Sequence, residues 1–295
     1  MKKILAFDIG GTKIAYAVTD ENGNFANDVV KVTTPKTSEG IYEFFKTVIK
    51  GLEDEVDGVS IATAGAVNNE NTRIISHVGN LPEGYNGLDF MSLTDKPLLL
   101  ENDANSAAWA EYKLGAAKGT RHAVVLTLGT GVGSGIIVDG RLLKGKSGAA
   151  GEMHVRFDSG EHRKCTCGLW DCLETYVSGN ALTTDARLYM REDMTSYDVI
   201  RGLKDGNPKA REAFDHWQSC LENTLVLMGN IFDPEVIVLS GSMAQFVEYE
   251  KINEQANHDI LTRPFELRQA AFENNAGMIG AALLLAERLR QEERP

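Results

Sequence analysis

Three of the four cysteines in the chain stand at Cys165, Cys167 and Cys172, and His154 and His162 lie a short way upstream. Thiolates and an imidazole at such spacing make a tetrahedral zinc set, with the fourth ligand open between His154 and His162. The competing reading is a group of reduced, unliganded thiols in a loop. Carboxylates flank the cluster, Glu152 before it and Glu174 directly after Cys172-Leu173. The stretch Gly148 to Glu174 therefore reads as a metal clamp between two acids. Four protein ligands leave no open position for water, so the expected metal is structural.

Two glycine-rich turns carry a second kind of chemistry. Asp8-Ile9-Gly10-Gly11-Thr12-Lys13 follows the apolar run Ile4 to Phe7 and leads into Ile14 to Val18. Gly129-Thr130-Gly131-Val132-Gly133-Ser134-Gly135 follows Ala123 to Leu128 and leads into Ile136 to Val138. The recurrence of strand, glycine turn and strand predicts a weak internal repeat. Glycine turns can aim successive N–H groups at phosphate oxygens, because no Cβ stands in the way. No P-loop pattern is present, and Ser134 replaces the third glycine of a dinucleotide fingerprint, so neither of those classes applies. A plain hairpin is the alternative for each turn alone. With Asp8 and Thr12 adding a carboxylate and a hydroxyl, the two together point to a nucleotide.

The elements that must position these groups alternate. Helices are predicted over Ser38 to Leu52, Ala104 to Leu114, Pro208 to about Asn230 and Gly277 to Arg290, and strands near Val59 to Ala62, Leu98 to Leu100 and Val236 to Leu239. The class is α/β. A chain of 295 residues holds two domain-sized cores, and Gly115 to Gly119 marks the break between halves. The net charge of −12, without a Lys/Arg run, argues against nucleic-acid partners. No apolar run reaches membrane length, and few cysteines, mostly clustered, suit a reducing cytoplasm. His77, His122, His216, His258, Cys220, Trp109 and Trp217 belong to no constellation and are assigned to surface or packing.

Six blocks in order resemble the ROK family of sugar kinases, within the actin, Hsp70 and hexokinase-like superfamily. They are Asp8 to Lys13, Glu101-Asn102-Asp103-Ala104-Asn105, Gly129 to Gly133, Gly148 to Glu152, Cys165-x-Cys167-Gly168-x-x-x-Cys172-Leu173-Glu174, and Asp233-Pro234-Glu235 to Gly241. The resemblance spans essentially the whole chain. It implies two ribonuclease-H-like domains of the actin-like ATPase type around a central cleft. The smaller is expected to comprise 1–117 plus 279–295, and the larger, with the zinc site, 118–278.

By the same resemblance Asp103 is the catalytic base. Read from the residues alone, Asn102 or Asp103 before an alanine-rich helix is an N-cap. The resemblance also implies that Asn102, Glu152, His154 and Glu174 hydrogen-bond sugar hydroxyls together with Asp103, while Gly65 and Asn80 line the pocket. Asp8 is implied to orient Mg2+ through water, with Gly10, Gly11, Thr12, Lys13, Thr130, Gly131 and Gly133 facing the phosphates of ATP, and Gly241 and Ser242 the adenosine. The implied zinc ligands are His154, Cys165, Cys167 and Cys172.

The implied activity is transfer from ATP to the 6-hydroxyl of a glucose-like hexose or N-acetylhexosamine, with N-acetylmannosamine or fructose as alternatives, in a cytoplasmic homodimer. A ROK-type sugar-sensing transcriptional regulator without kinase activity is the other class; it needs a DNA-binding segment ahead of the first strand, where only three residues precede Ile4. Two departures from the family pattern stand out. His154 follows Glu152 by two residues, with Val155 at the usual histidine position, and Asp171 replaces a glycine of the cysteine motif.

Overall fold

The computed structural model describes every residue except Met1, His77, His154, Asp158, Ser159, Arg294 and Pro295. Its first sheet is built from β1 (Lys3–Ile9), β2 (Lys13–Asp20), β3 (Val30–Thr33), β4 (Gly58–Thr63) and β5 (Leu98–Asn102), in the order β3-β2-β1-β4-β5. β1 pairs antiparallel with β2, and β2 with β3, whereas β1–β4 and β4–β5 are parallel. A second sheet repeats the plan with β6 (Ala123–Leu128), β7 (Val132–Val138), β8 (Arg141–Leu142), β9 (Val236–Ser240) and β10 (Glu266–Gln269) in the order β10-β9-β6-β7-β8. Around its central strand it again has an antiparallel hairpin on one side and parallel strands on the other. The repeat expected from the two glycine turns is therefore a repeat of whole sheets.

The parallel strands explain their own composition. β4 and β9 are buried along their full length, and strands covered on both faces read as continuous apolar runs. Over the first sheet lies α1 (Ser38–Leu52), whose N-cap Thr37 accepts the Gly40 N–H and whose Ile41, Phe45 and Ile49 face the core. α2 (Asp103–Lys113) leaves the end of β5 with Asn102 as its cap. The second half adds α3 (Glu174–Val177), α4 (Gly179–Tyr189), α5 (Ser196–Lys204), α6 (Pro208–Phe232) and α7 (Tyr249–Asp259). α6 opens on Asn207 and Pro208, a strong helix start, and buries Phe214, Trp217, Leu221 and Leu225 in the second core.

The halves are tied together by their terminal helices. α2 lies on β6 and β7 of the second sheet, and α8 (Ala276–Glu292) returns to β1 and β4 of the first. α2 and α8 cross where any side chain at Gly280 would overlap the Ser106 backbone. Among the described residues no helix is long and apolar enough to cross a membrane.

One boundary differs in an informative way. The strand expected from Ile136 begins at Val132, so Gly133 and Gly135 are strand residues rather than turn residues. A Cβ at Gly133 would meet Ala104 Cβ at 2.8 Å, and one at Gly135 would press on Ala108 and the Ala104 carbonyl. These glycines let α2 lie directly on β7.

Candidate active site

The first glycine turn closes through Gly10 N–H donating to the Lys13 carbonyl, 3.0 Å. Thr34 fastens it, with Oγ1 donating to the Gly10 carbonyl (2.7 Å) and N–H to the Thr12 carbonyl (3.1 Å). Gly11 sits against Asn80, whose backbone carbonyl a side chain there would strike. That close approach brings Asn80 to the turn. Asp8 stands at the end of β1, paired with Ala15 and Ala62. A Cβ on Gly277, in the first turn of α8, would come within 2.5 Å of its Oδ2.

Three acids meet beside this turn. Burial pushes the Asp8 carboxyl up to about 7, and the charge of Asp103 adds to the effect. Burial likewise raises Asp103 to about 6; the Ala104 N–H opposes the rise and Glu152 supports it. Tyr85, buried and bonded to Thr63 Oγ1 at 2.8 Å, is pushed up by burial and feels both aspartates. Asp103 occupies the first position of α2, and it is Asn102 that caps the helix, accepting the Asn105 N–H at 3.0 Å. The Asn102 amide also donates to the Gly65 carbonyl at 3.1 Å, and Gly65 has a φ of 90°. Asp8, Asp103, Glu152, Asn102, Gly65 and Asn80 thus share one neighbourhood. Carboxylates driven to high pKa by burial and by one another suit a hard cation and a polyol.

The second turn is neutral. Gly129 N–H donates to the Gly131 carbonyl at 3.0 Å, and Thr127 Oγ1 accepts the Gly133 N–H at 3.1 Å. Glu174 Oε2 accepts the Val132 N–H at 3.1 Å and lies where a side chain on Gly131 would be. Glu174 was expected against sugar hydroxyls; here one of its oxygens holds the second turn. Gly179, at the start of α4, donates to the Gly129 carbonyl at 2.8 Å, and Met243 N–H donates to the Leu128 carbonyl at 3.0 Å. Gly241, at φ 87°, closes on the Leu128 carbonyl, where a Cβ would stand 2.5 Å away. Thr130 and Ser242 are exposed at this patch. The structure therefore gathers Gly129, Gly131, Gly179 and Gly241 in one place.

The thiols of Cys165, Cys167 and Cys172 lie within 4.8 Å of one another. The Cys167–Cys172 separation is 3.6 Å, close to the edge of about 3.8 Å that Zn–S bonds of about 2.3 Å give a tetrahedron. The donor set fits zinc. Among the described residues no histidine joins the three thiols. His162 is turned outward and its Nδ1 is 3.1 Å from Asp171 Oδ2. His154, expected both as zinc ligand and against the sugar, lies outside the described residues.

Asp171 explains the missing glycine: its φ is 61°, a left-handed conformation that favours glycine and that Asp tolerates. Hydrogen bonds from Arg163 N–H (2.8 Å), His162 and Tyr176 OH (2.8 Å) hold its carboxyl down to about 2. From there Arg163 continues to the fully buried Asp185 on α4 at 2.5 Å.

The sequence assigns no site role to Glu101, Tyr85, Gly179 or Gly277, although Glu101 stands in one of the six blocks. Glu101 is buried; it accepts the N–H of its neighbour Asn102 and, across the fold, Asn71 Nδ2, a contact that no local pattern announces. Gly179 had a local signal, since Ser178 before it is a helix cap.

The sequence profile of the ROK family matches residues 4–288. A glucokinase of Streptomyces coelicolor is 32% identical, the match covering 96% of this chain and 97% of the relative. An N-acetylmannosamine kinase of Yersinia pestis is 30% identical, covering 96% and 98%. The crystal structure of a ROK family glucokinase from Streptomyces griseus, in complex with glucose and AMPPNP, superposes with a TM-score of 0.80 at 29% identity, covering 96% of this chain and 98% of that one. With the repeated sheets of the actin-like ATPase fold, these matches establish that the chain belongs to the ROK family.

Proposed function

We propose that the protein is an ATP-dependent sugar kinase that phosphorylates the 6-hydroxyl of a hexose or N-acetylhexosamine. The observation that carries this reading is the meeting of Asp8, Asp103 and Glu152 beside the first of the two glycine turns. The cleft is proposed to lie between a unit of 1–117 with 279–295 and a unit of 118–278. The glucokinase and N-acetylmannosamine kinase among the relatives make glucose and N-acetylmannosamine the first substrates to try.

In this mechanism Asp103 orients the sugar hydroxyl. Its Oδ takes the hydroxyl proton while the new O–P bond forms and the bond to the departing ADP breaks. Phosphoryl transfer is loose, so placement of the nucleophile and stabilisation of spreading charge matter more than base strength. An Asp103 pKa near 6 leaves the group ionised at neutral pH, yet close enough to accept a proton. Backbone N–H groups of both turns face the phosphates, and Asn102 and Glu152 direct the sugar. Mg2+, held near Asp8 through water, would neutralise phosphate charge. Cys165, Cys167 and Cys172, with His154 as the proposed fourth ligand, would hold a zinc ion that fixes the loop leading to Glu174.

The test is a coupled ADP-release assay over glucose, N-acetylmannosamine, fructose and N-acetylglucosamine. Turnover of at least one sugar is expected, with about a thousandfold loss of kcat in Asp103→Asn. No turnover on any sugar, or full activity in that variant, overturns the assignment.

A further inference from the structure

A buried ion pair crosses between the halves immediately behind Asp103. Lys144 Nζ, on the segment after β8, lies 2.6 Å from Glu101 Oε2 at the end of β5, and the Glu101 side chain is only 2% exposed. The other oxygen, Glu101 Oε1, accepts the backbone N–H of Asn102 at 2.8 Å and the Asn105 amide at 3.3 Å. The carboxylate therefore ties Lys144 to the two residues flanking Asp103 and Ala104.

Neighbouring contacts point the same way. Asn69 Nδ2 donates to the carbonyls of Gly145 (3.2 Å) and Lys146 (3.0 Å). Gly148, at φ 104°, is pressed so closely on Val67 that a side chain there would overlap its carbonyl. Asn71 Nδ2 donates to Glu101 Oε2 at 2.9 Å and closes the ring. The segment is also braced within itself, the N–H groups of Gly148 and Ala150 both donating to the Lys144 carbonyl. It rejoins its own half at its ends, through Leu143 N–H to the Ile136 carbonyl (2.8 Å) and Ser134 Oγ to the Gly151 carbonyl (2.6 Å).

We infer that Lys144 is a positioning residue for the sugar. By neutralising Glu101 it fastens the strap from Lys144 to Glu152 onto the half that carries Asp103. Glu152 and Asp103, which stand on different halves, then keep their spacing. A buried carboxylate deprived of its cation is a strong local penalty, whereas a second cation of the same reach restores the pair. The inference rests on the kinase reading for its consequence, but the clasp can be tested without substrate.

Amide hydrogen exchange on the substrate-free protein is the first measurement. In Lys144→Met, exchange is expected to rise at least tenfold in residues 66–73 and 144–152 together, with residues 129–133 unchanged and Lys144→Arg near wild type. Steady-state kinetics follow with ATP and whichever of glucose and N-acetylmannosamine the wild type turns over. Sugar KM is expected to rise at least tenfold in Lys144→Met while ATP KM stays within twofold, and Lys144→Arg and the double variant Glu101→Gln/Lys144→Met recover most of the loss. Unchanged exchange in the two segments, or equal rises in both KM values, overturns the inference.

Discussion

The two glycine turns occupy equivalent places in equivalent sheets, yet they are built for different work. Position for position along the central strands, Asp8 of β1 corresponds to Thr127 of β6, each being the next-to-last strand residue. Asp8 is a charged group held at high pKa by its surroundings, whereas Thr127 is neutral and satisfied by the Gly133 N–H. The supports differ as well. The neutral hydroxyl and backbone of Thr34 and the backbone of Asn80 meet the first turn; a carboxylate, Glu174, joins backbone contacts in holding the second, from a loop that also carries three thiols. The repeated sheet supplies two glycine turns, and acids gather beside one of them, where Asp103 and Glu152 arrive. The second half has a turn with no acid of its own, and Glu174 reaches it from outside.

Making the first turn as neutral as the second is the severest way to break this asymmetry. Asp8→Asn is expected to lower kcat about a hundredfold, as loss of a preorganised electrostatic group does. It is also expected to stabilise the substrate-free protein at neutral pH. The sign follows from the proton balance: the folded state binds the Asp8 proton more tightly than the unfolded chain, whose carboxyl titrates near 3.8. Wild-type stability therefore falls as pH rises from about 4 to about 7, and Asp8→Asn lacks that fall. Thermal melts at pH 4 and pH 8 check it. A variant no more stable than wild type at pH 8 would place the Asp8 pKa in the ordinary range.

A milder change separates the two supports. Glu174→Ala removes the acceptor of the Val132 N–H, a charge-assisted hydrogen bond of about 1.5–3 kcal/mol. ATP KM is expected to rise about tenfold, and Glu174→Gln, which keeps an acceptor oxygen, should recover most of it. Titration of AMPPNP in the absence of sugar isolates the effect. If Glu174→Ala binds the nucleotide as wild type does, the second turn holds its shape without help and the comparison loses its second term.

What could be read in advance follows physical range. β1, β6 and their turns were legible because burial on both faces writes continuous apolar runs, and because glycine marks where backbone must bend or come close. The start of α2 was legible from Asn102, since caps act within one helical turn, and α1 and α6 begin where their periodicity predicts, on Thr37 and Asn207. β3 and β10 were not, being short edge strands of mixed polarity. In the site, the acids could be named but not aimed. Whether Glu174 faces a sugar or a backbone N–H depends on Val132, 42 residues away, and Glu101 owes its place to Lys144, 43 residues away. Gly133 was assigned to phosphate from its motif, while its position against Ala104 is a packing requirement that only the crossing of α2 over β7 creates.

The smallest expected effect lies at the far end of the second support. Asp171→Gly relieves a left-handed residue but removes the acceptor of the Arg163 N–H and of the Tyr176 hydroxyl. The relief is the smaller term, since Asp is among the residues that tolerate this conformation while glycine brings extra chain entropy to the unfolded state. The melting temperature is expected to fall by roughly two to four degrees. Asp171→Asn, which keeps an acceptor and tolerates the same φ, should lie between the two. Because Arg163 remains tied to Asp185, the loop keeps its place, and ATP KM should stay within twofold of wild type. A rise in ATP KM as large as that of Glu174→Ala would instead mean that the second turn is held from as far away as Asp171.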